Sequence, residues 1–154
     1  MEKINKIASF TVDHDLLTEG IYVSRIDGDV TTYDLRTRVP NAGDYMDNLT
    51  MHSVEHMFAT YVRASAIADR VMYFGPMGCQ TGFYLLVRDA ENGEVLSVVT
   101  EVLREIIEGC EKMPGESRVE CGNYKNLSLT EGKAECERLL ALLEEQPQSF
   151  VYPK

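Results

Sequence analysis

The period at which apolar residues recur changes along this chain, and that change restricts the fold to a mixture of strands and helices. GIYVSRI and VTTYDLRTR flank Asp27-Gly28-Asp29, and in the second segment Tyr33 and Leu35 alternate with Asp34 and Arg36. A period of two on either side of a Gly-containing turn predicts a β-hairpin. It sets Asp34 and Arg36 on the face opposite the apolar pair, where Arg36 is either a solvated side chain or a binding group held on a rigid strand. From Thr50 the steps lengthen to three and four through Val54, Met57, Phe58, Tyr61 and Val62, which predicts a helix running to about Arg70. VMYF and TGFYLLV then read as two strands joined by the tight loop PMGCQTG, where Pro76, Gly78 and Gly82 favour turns. A second helix gathers Val95, Val98, Val99, Val102, Leu103, Ile106, Ile107 and Cys110 on one face and ends near Met113-Pro114-Gly115. Ser128 and Glu131 have capping-box spacing ahead of a last helix with Leu139, Leu140, Leu142 and Leu143.

These elements do not alternate as βαβ units, so the expected class is α+β, a mostly antiparallel sheet packed against helices. No repeat, low-complexity tract or long linker interrupts the 154 residues, and residues 1–154 are expected to form a single compact domain. A net charge of -10 disfavours phosphate backbones and anionic lipid, so neither nucleic acid nor a membrane is expected as a partner. No apolar run reaches signal-peptide or bilayer length, and the expected location is the cytoplasm. In that compartment the four cysteines read as reduced thiols rather than a disulfide framework. Cys110 belongs to an apolar helix face and is expected in the core, while Cys136, among charged helical residues, is structural or incidental. Cys79 and Cys121 differ because both sit in glycine-containing loops.

Two of the three histidines, His52 and His56, stand four apart on the first helix, with Glu55 between them. A helix stacks positions i and i+4 on one face, so both imidazoles can reach one divalent metal ion. The alternative is a polar helix face carrying two incidental histidines. Glu55 could move protons, orient a metal-bound water or support the ligands. A catalytic site needs a third protein ligand and one open position. Cys121, in ECGNY, is the best candidate, since a thiolate is a strong ligand and Gly122 frees the loop to approach; a plain loop thiol is the competing reading. Cys79 is placed like a reactive thiol able to take up and return a proton near a cation, or else like a further ligand. Ser9 and His14, in ASFTVDH, read from the residues alone only as polar groups near a strand-like start.

Together these segments resemble the S-ribosylhomocysteine lyase (LuxS) family, which makes the precursor of autoinducer-2. The resemblance runs through ASFTVDH, YDLR followed by VPN, HSVEHMFA, GPMGCQTGFYL and ECGNYKNLSL, in order and at family-like spacing. It implies His52, His56 and Cys121 as metal ligands, Glu55 and Cys79 as acid/base residues, and Ser9, His14 and Arg36 as substrate-binding groups. It also implies a homodimer with active sites at the subunit interface, iron(II) as the native metal and zinc as a common substitute. The implied reaction splits S-ribosyl-L-homocysteine into L-homocysteine and 4,5-dihydroxy-2,3-pentanedione by carbonyl migration and β-elimination. Two positions depart from the pattern: Tyr73 stands where many members have aspartate, and Leu127 where many have histidine. Two rivals make different demands on the same residues. A metallopeptidase of the inverted HxxEH type requires a carboxylate or histidine as third ligand and no Cys79, whereas a metal-storing module requires a fourth protein ligand such as Cys79.

Overall fold

The structure is a computed structural model that describes residues 4–154. Its elements run β1 (Gly20–Asp27), β2 (Val30–Arg36), α1 (Asn48–Val62), β3 (Val71–Pro76), β4 (Gly82–Arg88), α2 (Asn92–Gly109) and α3 (Leu129–Glu145). The four strands form one antiparallel sheet in the order β1-β2-β4-β3, with the three helices packed together on one face. This is the expected α+β arrangement. The hairpin forms at the anticipated turn, where Asp27 pairs with Val30 across Gly28-Asp29 and Gly28 adopts a φ of 60°.

The pairing of β2 with β4 decides which residues meet the helices. Leu35 lies opposite Phe83 and Tyr33 opposite Leu85, and all four are buried under the helical layer. Phe58 of α1 stacks on Phe74 of β3 at a centroid distance of 4.4 Å, and Phe74 stacks on Phe83 at 5.2 Å. Asp34 and Arg36, one residue out of phase, face away from the helices opposite Tyr84 and Gly82. Gly82 is required there, because a Cβ would come within 2.7 Å of the Leu35 carbonyl oxygen.

The first helix ends at Val62 rather than near Arg70. The Ala64 and Ser65 N–H groups and the Ser65 hydroxyl bond back to the carbonyls of Tyr61 and Val62, closing the helix end without glycine or proline. The chain then turns inward to bury Ile67 before β3 starts. Of the two readings of Arg36, the solvated one falls: Arg36 is 3% exposed and Asp34 0%, so the polar face of β2 is covered instead of hydrated. Its cover is the carboxy-terminal segment. The Phe150 carbonyl accepts from the Val23 N–H at 2.8 Å, and the Tyr152 ring stacks on Tyr22 with centroids 5.0 Å apart.

Helix starts follow the sequence closely. Asp47 caps α1 by accepting from the Thr50 N–H at 2.8 Å, and Ser128 caps α3 by accepting from Glu131 at 3.2 Å. Cys110 forms the buried end of α2, at which point the helix stops, a few residues before the expected Pro114. Cys136 is buried between helices, and burial pushes its thiol up to about 12, which leaves it protonated and inert. Among the described residues no helix is long and apolar enough to cross a membrane.

Candidate metal centre and active-site cleft

Three side chains expected to hold a metal come together. One ligand atom from each of His52, His56 and Cys121 lies within 4.8 Å of the other two. The helix supplies the two histidines from successive turns, with the rings 4.6 Å apart. The long loop between α2 and α3 supplies the thiol, and the same loop fixes both rings. His52 Nδ1 donates to the Asn126 carbonyl and His56 Nδ1 to the Pro114 carbonyl, each at 2.7 Å. These bonds set the tautomer, leaving each Nε2 with a free lone pair. Gly115, at a φ of 66°, allows the close approach: a Cβ there would lie 3.2 Å from His56 Nδ1.

The donor set fits a tetrahedral ion. Cys121 Sγ stands 3.4 Å from His52 Nε2. Metal–sulfur and metal–nitrogen bonds of about 2.3 and 2.0 Å at a tetrahedral angle would set such atoms roughly 3.5 Å apart. The cluster contains three ligands, leaving room for a fourth from solvent or substrate, and Glu55 is half-buried on the same helix. The third member is a thiol rather than the carboxylate or histidine that a peptidase would use. Cys79 of the same chain does not join it.

Cys79 lies instead in a second cluster, with Ser9, His14 and Arg36. The four line one cleft of about 370 Å³ together with Phe10, Met77 and Tyr84. Register puts Arg36 and Tyr84 on the sheet face turned away from α1, so this cleft and the metal cluster occupy different sides of the fold. Arg36 is clamped. Its Nε and Nη2 donate to Asp34 Oδ1 and Oδ2 at 3.1 and 2.6 Å, and its Nη1 donates to Thr81 Oγ1 at 2.7 Å. The Thr81 hydroxyl is 3.1 Å from Cys79 Sγ and its oxygen is already taken by Arg36, so its hydrogen is free to point at the sulfur. Arg36 Nη1 itself lies 3.7 Å from Cys79.

Burial opposes the Arg36 charge, but Asp34 outweighs it and the guanidinium pKa stands above its ordinary value. Tyr152 donates to Asp34 Oδ2 at 2.7 Å, and burial, reinforced by the carboxylate, raises its phenol well above the usual range. His14 donates Nδ1–H to the Val12 carbonyl at 3.0 Å, leaving Nε2 free. All eight residues expected at a site are thus found in one or other of two clusters, or beside one on α1. Asn126, Pro114 and Gly115, which aim the histidines, and Asp34, Thr81 and Tyr152, which hold Arg36, were not anticipated. The HxxEH pattern carried the clearest local signal; backbone carbonyls that accept from the rings and a tyrosine 118 positions from its partner leave none.

A family model described as S-Ribosylhomocysteinase (LuxS) matches residues 7–149. The chain is 40% identical over 157 residues to the S-ribosylhomocysteine lyase of Borreliella burgdorferi (strain ZS7), covering 97% of this chain and 100% of the relative. It is 44% identical over 138 residues to the lyase of Desulfotalea psychrophila, covering 86% and 87%. Against the lyase of Clostridium beijerinckii the figure is 40% over 158 residues, covering 97% and 99%.

Proposed function

The chain belongs to the S-ribosylhomocysteinase (LuxS) family, and from that membership we propose that it is a metal-dependent carbon–sulfur lyase acting on S-ribosyl-L-homocysteine. The products are L-homocysteine and 4,5-dihydroxy-2,3-pentanedione, the autoinducer-2 precursor. The convergence of His52, His56 and Cys121 with one position open carries this reading. In it they hold one divalent metal per subunit, iron(II) natively and zinc where equilibrium competition favours it. The metal, when bound, supplies Lewis acidity to the sugar's carbonyl and hydroxyl oxygens.

The remaining steps belong to the chain's own side chains. Ser9, His14 and Arg36 bind the substrate, the last as a cation fixed by Asp34 and unable to swing away. Cys79 and Glu55 exchange protons with the sugar carbons, moving the carbonyl along the chain by enolisation. The last abstraction, next to the carbon bearing the thioether, expels homocysteine as the leaving group. Both products are small and soluble, which suits a cytoplasmic enzyme.

A homodimer with shared sites follows from the same reading. The metal cluster and the Cys79 cleft lie on different sides of one chain, and a two-fold partner could bring one of each together. Apolar side chains left exposed support burial against a second copy: Phe10 in the cleft, and Ile7 and Tyr73 in a neighbouring hollow that shares Ser9 and Tyr84 with it. The test is incubation of metal-loaded protein with S-ribosylhomocysteine in the absence of oxygen, following release of free thiol. Release at one thiol per substrate is expected, with metal and activity lost together in His52→Ala, His56→Ala and Cys121→Ala. No thiol from metal-loaded protein would overturn the activity; near-stoichiometric metal in all three variants would overturn the ligand set.

A further inference from the structure

A hydrogen-bonded line runs from near the end of the chain to the Cys79 thiol, and its first member lies past residues 7–149, the span matched by the family model. Tyr152 donates to Asp34, Asp34 holds Arg36 through two bonds, and Arg36 reaches Cys79 directly and through Thr81. We propose that Tyr152 is a positioning residue for Cys79: its hydroxyl, acting on Asp34, determines how much of the Arg36 charge is turned toward the thiol. The proposal rests on the reading of Cys79 as a proton carrier.

The physical case turns on a competition for one carboxylate. Asp34 is fully buried, and its Oδ2 receives both the Arg36 Nη2 at 2.6 Å and the Tyr152 hydroxyl at 2.7 Å. A buried carboxylate bonded by a phenol has part of its charge satisfied there and neutralises its arginine less completely. More of the guanidinium's field is then left for Cys79. Removing the hydroxyl reverses this, because Asp34 then draws on Arg36 alone. The phenol is suited to the task because burial keeps it protonated and donating. The tail is also anchored independently of that hydroxyl, by the Val23 N–H bond to the Phe150 carbonyl and by stacking of Tyr152 on Tyr22.

Besides Arg36 on β2, the titratable groups lining the clefts around Cys79 are His14 of the amino-terminal segment, Tyr45 of the loop after β2 and Tyr84 on β4. None of them is changed by Tyr152→Phe, which deletes one oxygen and keeps the ring. The experiment follows the rate of iodoacetamide alkylation at Cys79 against pH, by peptide mass, in metal-loaded wild type and Tyr152→Phe, alongside hydrogen exchange at the Val23 amide. A rate profile displaced upward by about half a pH unit, equivalent to a roughly threefold slower reaction at a fixed pH on its rising limb, is expected with Val23 still protected. A profile that does not move overturns the proposal. A displaced profile accompanied by loss of Val23 protection also overturns it, since the tail would then act only as a cover. Neither readout uses the substrate, so failure of the wild type to cleave S-ribosylhomocysteine would count against the lyase reading and not against this one.

Discussion

His52 and His56 present matching Nε2 atoms because a backbone carbonyl has taken the other nitrogen of each ring. Neither histidine has to pay rotational entropy when an ion arrives, since both rings are already turned. Glu55 and Cys79 differ from them in being free of that cluster, and each therefore can be changed without touching a ligand. Glu55→Gln and Cys79→Ala are expected to keep metal and fold while losing turnover by about 10²–10⁴-fold, the usual worth of a positioned proton carrier. Metal content, circular dichroism and kcat together make the check, and wild-type kcat in either variant would show its role to be structural. These assignments begin with a legible pattern, since HxxEH announces itself at helical spacing. Cys79 and Arg36 announce far less: the strand period placed Arg36 on the correct face but could not reveal the carboxy-terminal tail that buries it.

Between elements, one hydroxyl ties the metal-bearing helix to its neighbour. Ser53 is fully buried beside His52; it donates to the Leu49 carbonyl at 2.7 Å and accepts from the Ser128 N–H at 2.8 Å. That N–H belongs to the residue capping α3, so α1 and the start of α3 are held in register through Ser53. Ser53→Ala leaves the Ser128 N–H without its acceptor, a cost of about 1–3 kcal/mol. Thermal melting should show it, at roughly 2–4 °C for each kcal/mol in a chain of this size. A melting temperature unchanged within 1 °C, a bound set by the roughly 1 kcal/mol floor just given, would mean that another acceptor replaces the hydroxyl.

At the scale of the whole molecule, the two clusters lie on different sides of the sheet, and His14 shares its cleft with Cys79 of the same chain. Shared sites across a two-fold axis have a countable consequence. Inactive His14→Ala and Cys121→Ala chains, mixed and allowed to exchange, would form mixed dimers in which one site inherits both defects and the other neither. Random pairing makes about half the dimers mixed, so about a quarter of all sites should be restored. His14→Ala mixed with Cys79→Ala should restore none, because both defects lie in the same half. Exchange without recovery in the first mixture would place a complete site within one chain.

Periodicity and local chemistry were sufficient for the α+β class, the hairpin at Asp27-Gly28-Asp29, the Ser128 cap and the pairing of His52 with His56, because each depends on residues within a few positions of one another. The end of α1 was not among them, since a serine hydroxyl and two backbone N–H groups close it with no breaker residue to mark the place. Tertiary structure alone decided that Cys121 lies 3.4 Å from His52 across 69 positions of sequence, and that Tyr152 bonds Asp34 across 118. Contacts at such separations are selected by how the helical layer and the sheet bury their apolar faces, which is a property of the packed chain and of no segment within it.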